Sequence, residues 1–330
     1  MRWLGVDGGG TKTRFDLYDG DMNLLQTLRL PTCHVMQVGA DGMRTVLEEG
    51  VRTLTAGSDE PVGIGFGLAG YGADPRLRAQ IGAVVADVAA GRPYELVNDV
   101  EAAWASGLGL ADGIVVICGT GSIAYGRHGE RSCRTGGWGF QVGDEGSGYW
   151  IGRETLRLFS RQADGRDVRG PLYDTVMERL KLDDPYGVIA YVRDEMRGDR
   201  TKIASLTRVL KAAALAGDEQ ALGVYDRAAA ELADLVDTIR RELFAGGESR
   251  DGKTGDDVVP NVPVIYWGGV FEGAGPLLLE PLERALPSGC ELRKPLHGPT
   301  VGPCLLLRER IGAEGDAENS AIRPGVSSGA

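Results

Sequence analysis

Histidine and cysteine are too sparse and too scattered to build a zinc site. The 330 residues hold three histidines and five cysteines (Cys33, Cys118, Cys133, Cys290 and Cys304), and no two cysteines form a CxxC pair. An odd number of widely spaced thiols fits a reduced protein, and the cytoplasm is the expected location. Basic residues are also in deficit, with 36 Lys and Arg against 47 Asp and Glu and a formal charge of −11. That balance argues against a nucleic-acid footprint, which would need a basic face. It leaves phosphate ligands open, because backbone amides and Mg²⁺ can hold them locally. No run approaches the roughly 18–20 apolar residues of a membrane span. The opening MRWLGVDGGG has no apolar stretch behind Arg2 of the kind a signal peptide carries.

What is present is an ordinary globular composition, 42% hydrophobic and 25% charged, at a length that favours one large domain or two lobes. Three short strands joined by tight turns are expected over Arg2–Val6, Arg14–Tyr18 and Leu24–Leu30. A helix follows over 41–55, where Met43, Val46, Leu47, Val51 and Leu54 recur at helical spacing. Val62–Leu68 reads as a strand, and Pro75 opens a helix to about Ala90. Tyr94–Val97 is a strand ending in Asn98-Asp99, and a helix then runs to about Leu110.

The pattern restarts with the apolar strand Gly113–Cys118, a glycine turn, and a strand from Ile123. The two glycine turns lie about 110 residues apart. This echo predicts two duplicated α/β lobes, 1–112 and 113–312, with a cleft between them, and the small, polar composition beyond Ala313 predicts a disordered tail over 313–330. Helices are expected over Ser147–Gln162, Ile203–Phe244 and Pro299–Ile311, a strand over Val262–Trp267, and a polar surface loop over Gly246–Pro260.

Four motifs carry chemistry. The first is Asp7-Gly8-Gly9-Gly10-Thr11-Lys12-Thr13 at a strand end. Three glycines let backbone N–H groups approach a bulky anion, and Asp7 stands where a carboxylate could hold hydrated Mg²⁺. A strand follows rather than a helix, so this is neither a Walker A loop nor a dinucleotide fingerprint. The second is Gly119-Thr120-Gly121-Ser122, again directly after an apolar strand. For both turns the plain alternative is a tight hairpin of no function. The third is Asn98-Asp99, where Asp99 either caps the following helix or accepts the proton of a sugar hydroxyl, or does both. The fourth, Gly136 to Ser147 (GGWGFQVGDEGS), packs glycines, an indole and two carboxylates between a strand and a helix. Carboxylates beside an aromatic face suit a sugar.

Together, in this order and spacing, the motifs resemble the N-acetylglucosamine kinases of the BadF/BadG/BcrA/BcrD ATPase family, within the actin-like ATPase superfamily. Gly136 to Ile151 is the most specific part, and the resemblance runs from about residue 3 to the last helix. It implies ATP and Mg²⁺ as cofactors. The turn Asp7, Gly8, Gly9, Gly10, Thr11 and Lys12 would meet the phosphates, with Asp7 at the metal. Gly119, Thr120 and Gly121 would contact the nucleotide, with Gly268 and Gly269 in the adenosine pocket. Asp99 would be catalytic base and sugar ligand. Cys33, Ser122, Gly137, Trp138, Gly139, Asp144 and Glu145 would lie on the sugar side.

The resemblance implies transfer of the ATP γ-phosphate to the 6-hydroxyl of N-acetylglucosamine, with glucosamine as the alternative substrate. The expected partners are an amino sugar, ATP and a second copy of the chain in a homodimer, with no nucleic acid and no membrane. Two positions depart from the family's animal members, which carry Asn where this chain has Cys33 and Ile123. Neither side chain can replace amide hydrogen bonds. Rival classes are a dehydratase-activating ATPase bearing an iron–sulfur cluster, toward which Cys118 and Cys133 would point, and a sugar sensor without turnover.

Overall fold

The strand Val62–Leu68 (VGIGFGL) alternates glycine with large apolar residues, and all seven positions are buried. A strand covered on both faces in this way belongs inside a parallel sheet. The computed structural model describes residues 1–57, 60–72, 74–244 and 261–321. In it, five strands, β1 (Arg2–Gly8), β2 (Lys12–Tyr18), β3 (Leu24–Pro31), β4 (Val62–Leu68) and β5 (Tyr94–Asn98), form one sheet in the order β3-β2-β1-β4-β5. The hairpin strands run antiparallel, while β4 and β5 run parallel to β1.

A second sheet is built from β6 (Gly113–Cys118), β7 (Ser122–His128), β8 (Arg131–Gly136), β9 (Val262–Trp267) and β10 (Cys290–Arg293), in the order β10-β9-β6-β7-β8. Its wiring repeats the first. Strands β6, β7 and β8 form the antiparallel meander, and β9 and β10 join parallel to β6. The expected duplication is therefore present as topology. The expectation missed β8 and β10, whose side chains are half-buried or exposed and carry little apolar signal.

The chain divides into two compact units, Met1–Ala111 with Pro295–Ala330, and Asp112–Lys294. This corrects the expected boundary, which gave everything from 113 to 312 to the second unit. The last helix, Val301–Ala321, packs against the first sheet, and the reason lies in close backbone approach. A β-carbon on Gly5 would overlap the Thr300 carbonyl, and one on Gly65 would overlap the backbone at Pro303 and Cys304. The other face of β4 presents Ile64, Phe66 and Leu68 to the core formed with the helices Val35–Thr55 and Pro75–Ala89. A buried network fixes the join. Asp16 accepts from Thr27 Oγ1 at 2.7 Å and Thr300 Oγ1 at 2.6 Å, and is ion-paired with Arg14 at 2.8 Å.

The helix also runs on to Ala321, past the point where disorder was expected, and residues 322–330 lie outside the described residues. So does the polar segment 246–260. The second unit has its own core, where Ile114 and Val116 of β6 meet Phe159, Val224, Leu232 and Val236 from the helices Gly148–Ala163 and Glu219–Ile239.

Gly65→Ala tests the close approach. The added methyl has no room, so urea denaturation should show a loss of about 1–3 kcal/mol or more, the usual range for overpacking. Gly82→Ala, in the helix Pro75–Ala89 with open space around it, is the control. It should be neutral or gain roughly 0.5–1 kcal/mol from helix propensity. Equal stabilities for the two variants would count against the packing account.

Candidate active site

Three parallel strands end in register at one edge of the first sheet. Gly8 on β1 lies opposite Leu68 on β4, which lies opposite Asn98 on β5. The carboxyl ends of parallel strands are where such sheets bind ligands. Asp7 and Asp99 are thereby brought to the same edge, close enough that the charge on Asp99 raises the pKa of Asp7. Burial is the larger cause, and together they push Asp7 up to about 6. The helix Asp99–Leu108 is capped by Asn98, whose Oδ1 accepts the Val100 N–H at 3.1 Å. Capping thus falls to Asn98 rather than to Asp99, and Asp99 takes the first helical position, where the helix dipole favours a negative charge.

The glycine turn between β1 and β2 is closed by the Gly9 N–H donating to the Lys12 carbonyl at 3.1 Å. Thr11 and Lys12 are exposed at its tip, and Gly8, Gly9 and Gly10 lead into it. Cys33 lies beneath the turn rather than in the open. It is 2% exposed, its N–H donates to Thr13 Oγ1 at 3.0 Å, and burial raises its thiol pKa. Its sulfur packs where a β-carbon on Gly8 would stand.

A lone carboxylate suits a magnesium ion that travels with a polyphosphate, since Mg²⁺ keeps several waters and takes one or two protein carboxylates. Asp7 fits that description. Among the described residues no group of three or more His, Cys, Asp or Glu is placed to cage a metal.

In the second unit the Gly119–Ser122 turn and the Gly136–Ser147 loop are tied into one structure. The Gly148 N–H donates to the Gly119 carbonyl at 2.9 Å, Tyr149 N–H to Thr120 at 3.2 Å, and Gly137 N–H to Ser122 at 2.9 Å. Ser122 Oγ donates to the Glu145 carbonyl at 2.6 Å. Asp144 turns inward at 5% exposure, with φ at 63°, and accepts the Gly139 N–H at 3.3 Å. Its carboxylate sits against Gly121, and burial raises its pKa. Trp138 is 75% exposed, so its indole face is accessible, and Glu145 is exposed as well.

Ile117 on β6 lies opposite Trp267 on β9, so the Gly119 turn and Gly268-Gly269 leave the same sheet edge side by side. Gly268 has φ at 117°, and a β-carbon there would overlap the Cys118 carbonyl, so only glycine fits. Asp7 to Lys12, Cys33 and Asp99 gather in the first unit; Gly119 to Ser122, Gly137 to Glu145, Gly268 and Gly269 gather in the second. The inward turn of Asp144 was not foreseen from the sequence; the only signal for it was the run of flexible glycines on either side. Cys118 is fully buried beneath the Gly146 carbonyl, which it meets at 3.4 Å, and is not available as a surface cluster ligand.

These sites can be set beside known proteins. A relative from Clostridium acetobutylicum named N-acetylmuramic acid/N-acetylglucosamine kinase is 33% identical over 274 residues, 80% of this chain and 87% of its own length. The N-acetyl-D-glucosamine kinase of Dictyostelium discoideum is 29% identical over 320 residues, 92% of this chain and 97% of its own. Among solved structures, a candidate N-acetylglucosamine kinase from Chromobacterium violaceum superposes with a TM-score of 0.64 at 25% identity, covering 93% of this chain and 98% of that one. The family model matches residues 4–306, from the first strand into the last helix. With both glycine turns, the strand-end carboxylates and the twice-wired sheet inside that span, the chain belongs to the BadF/BadG/BcrA/BcrD ATPase family.

Proposed function

We propose that this protein is an ATP-dependent amino-sugar kinase that transfers the γ-phosphate of ATP to the 6-hydroxyl of N-acetylglucosamine. The observation that carries the reading is the pair of strand-end carboxylates, Asp7 and Asp99, at the carboxyl ends of the parallel strands of the first sheet, beside a glycine turn. Two carboxylates with separate duties are what sugar phosphorylation asks for. Asp99 accepts the proton of the attacking hydroxyl, and Asp7 holds the hydrated cation next to the phosphates. When bound, Mg²⁺ neutralises charge on the transferring group. Within the first unit the turn amides of Gly8 to Lys12 suit phosphate oxygens, and within the second the Gly119–Gly121 turn and Gly268-Gly269 suit a nucleotide. Trp138 offers a flat apolar face to a sugar ring.

Recognition of the acetyl group is a separate matter. Cys33 is buried under the turn, and Ile123 is aliphatic, so neither position supplies an amide to hydrogen-bond the acetamido group. The relative named for both N-acetylmuramic acid and N-acetylglucosamine favours a second reading, in which the pocket also accepts a sugar bearing a 3-O-lactyl group.

Steady-state ADP release with N-acetylglucosamine, glucosamine, N-acetylmuramic acid and glucose tests the proposal. N-acetylglucosamine should turn over, with glucosamine separated from it less sharply than a pocket built around the acetyl group would give. Turnover of glucosamine alone would move the substrate and keep the chemistry. ADP release that ignores every sugar would make the protein an ATPase of another kind. No ADP release under any condition would leave a binding protein.

A further inference from the structure

The glycine turn is held from one side by the segment Thr32 to Gln37. Thr32 Oγ1 donates to the Gly9 carbonyl at 2.8 Å, and Gln37 Nε2 donates to the Gly10 carbonyl at 2.8 Å. The segment is itself fixed. The His34 N–H donates to Thr32 Oγ1 at 3.0 Å, the Cys33 N–H to Thr13 Oγ1 at 3.0 Å, and Thr13 Oγ1 to the Pro31 carbonyl at 2.9 Å. His34 then caps the helix Val35–Thr55, its Nδ1 accepting from the Met36 N–H at 3.3 Å.

A trans peptide is planar, so the carbonyl of one residue and the N–H of the next point in opposite directions. No peptide bond among the described residues is cis. Drawing the Gly9 and Gly10 carbonyls toward residues 32–37 therefore turns the N–H groups of Gly10 and Thr11 away from them. Glycine has no side chain to restrict these peptides, so an outside partner narrows the orientations that they can take. We infer that Thr32 and Gln37 are positioning residues that set the Gly10 and Thr11 amides for the phosphates of ATP. The inference rests on the kinase reading only in taking the turn as the phosphate site.

The two side chains act through backbone amides that they do not carry, by way of the Gly9 and Gly10 carbonyls. Their loss should therefore be felt by phosphate and not by adenosine. Gln37 is exposed, so its substitution leaves the core intact. Gln37→Met keeps length and neutrality and removes the donor. Thr32→Val removes the other donor, and Thr32→Ser restores it.

The test is calorimetric titration of the full-length protein with Mg²⁺·ATP and, separately, with adenosine. Gln37→Met and Thr32→Val should each weaken ATP by about three- to tenfold, the range expected for one hydrogen bond. Adenosine affinity should stay within twofold of the parent, and Thr32→Ser should bind ATP as the parent does. Unchanged ATP affinity in both variants would overturn the inference, as would equal weakening of ATP and adenosine, since that marks a general disturbance. A parent protein that binds ATP but phosphorylates no sugar would sink the kinase proposal while these affinities still decided the role of Thr32 and Gln37. A parent that binds no ATP would overturn both.

Discussion

Asp99→Asn should lower kcat by about 10²–10⁴, the usual worth of a positioned general base, and leave ATP affinity nearly unchanged. The amide keeps the size and shape of the carboxylate and loses its ability to take a proton. Asn98 continues to cap the helix through the Val100 N–H, so the helix cap is kept in the variant. A second readout separates chemistry from structure. The Asp99 charge helps to raise the pKa of Asp7, so removing it should lower the pH at which Asp7 titrates. Steady-state kinetics at saturating sugar and ATP, with an ATP titration, would settle the role. A variant that keeps near-parental kcat would take Asp99 out of the mechanism.

The second large effect belongs to Asp7. Asp7→Ala should depress kcat by about 10²–10⁴, several kcal/mol of lost charge stabilisation, and raise the Mg²⁺ concentration needed for what remains. Activity that persists in excess EDTA would contradict the scheme. The pH dependence has a definite sign. Asp7 is pushed up to about 6 by burial first and by Asp99 second, so it is largely ionised at pH 7 and largely protonated at pH 5. A proton and a cation compete for the same carboxylate. Apparent Mg²⁺ affinity should hold above pH 7 and fall by up to about tenfold per pH unit well below 6.

Stability runs the other way. A carboxyl whose pKa is raised by folding destabilises the native state once it ionises, so its favourable contribution is present at low pH and lost as pH rises through 6. Asp7→Asn should accordingly raise Tm at pH 7, and the gain should shrink toward pH 4. A Tm difference that grows on acidification would contradict the assigned environment.

The parallel strands were the most legible part of the sequence, because buried strands announce themselves as continuous apolar runs. Val62–Leu68, Gly113–Cys118 and Val262–Trp267 have the bounds that were expected. The two edge strands of the second sheet gave no such signal, and Cys290–Arg293 (CELR) alternates half-buried with exposed residues over only four positions. The placement of the last helix was harder to read, since it depends on what is missing from the partner surface. Gly5 and Gly65 are shaped for it, yet a glycine in a strand names no partner.

The site was legible to the extent that motifs sit at strand ends. The direction a side chain takes from a glycine-rich loop was not. Asp144 and Glu145 are neighbours of like charge in sequence, and the backbone sends one inward and the other to solvent. Cys33 likewise occupies a position that could face a ligand, and instead fills the space left by Gly8.

The late arrival of the helix Val301–Ala321 in the chain has a consequence for biosynthesis. All five strands of the first sheet leave the ribosome before residue 99, but the helix that covers Gly5 and Gly65 is made some 200 residues later. The second unit is continuous, Asp112–Lys294, and has every residue of its own core in hand before that helix exists. Folding during synthesis usually proceeds from the N-terminal domain onward. In this chain the order inverts: the middle can finish first, and the beginning of the protein waits for its end.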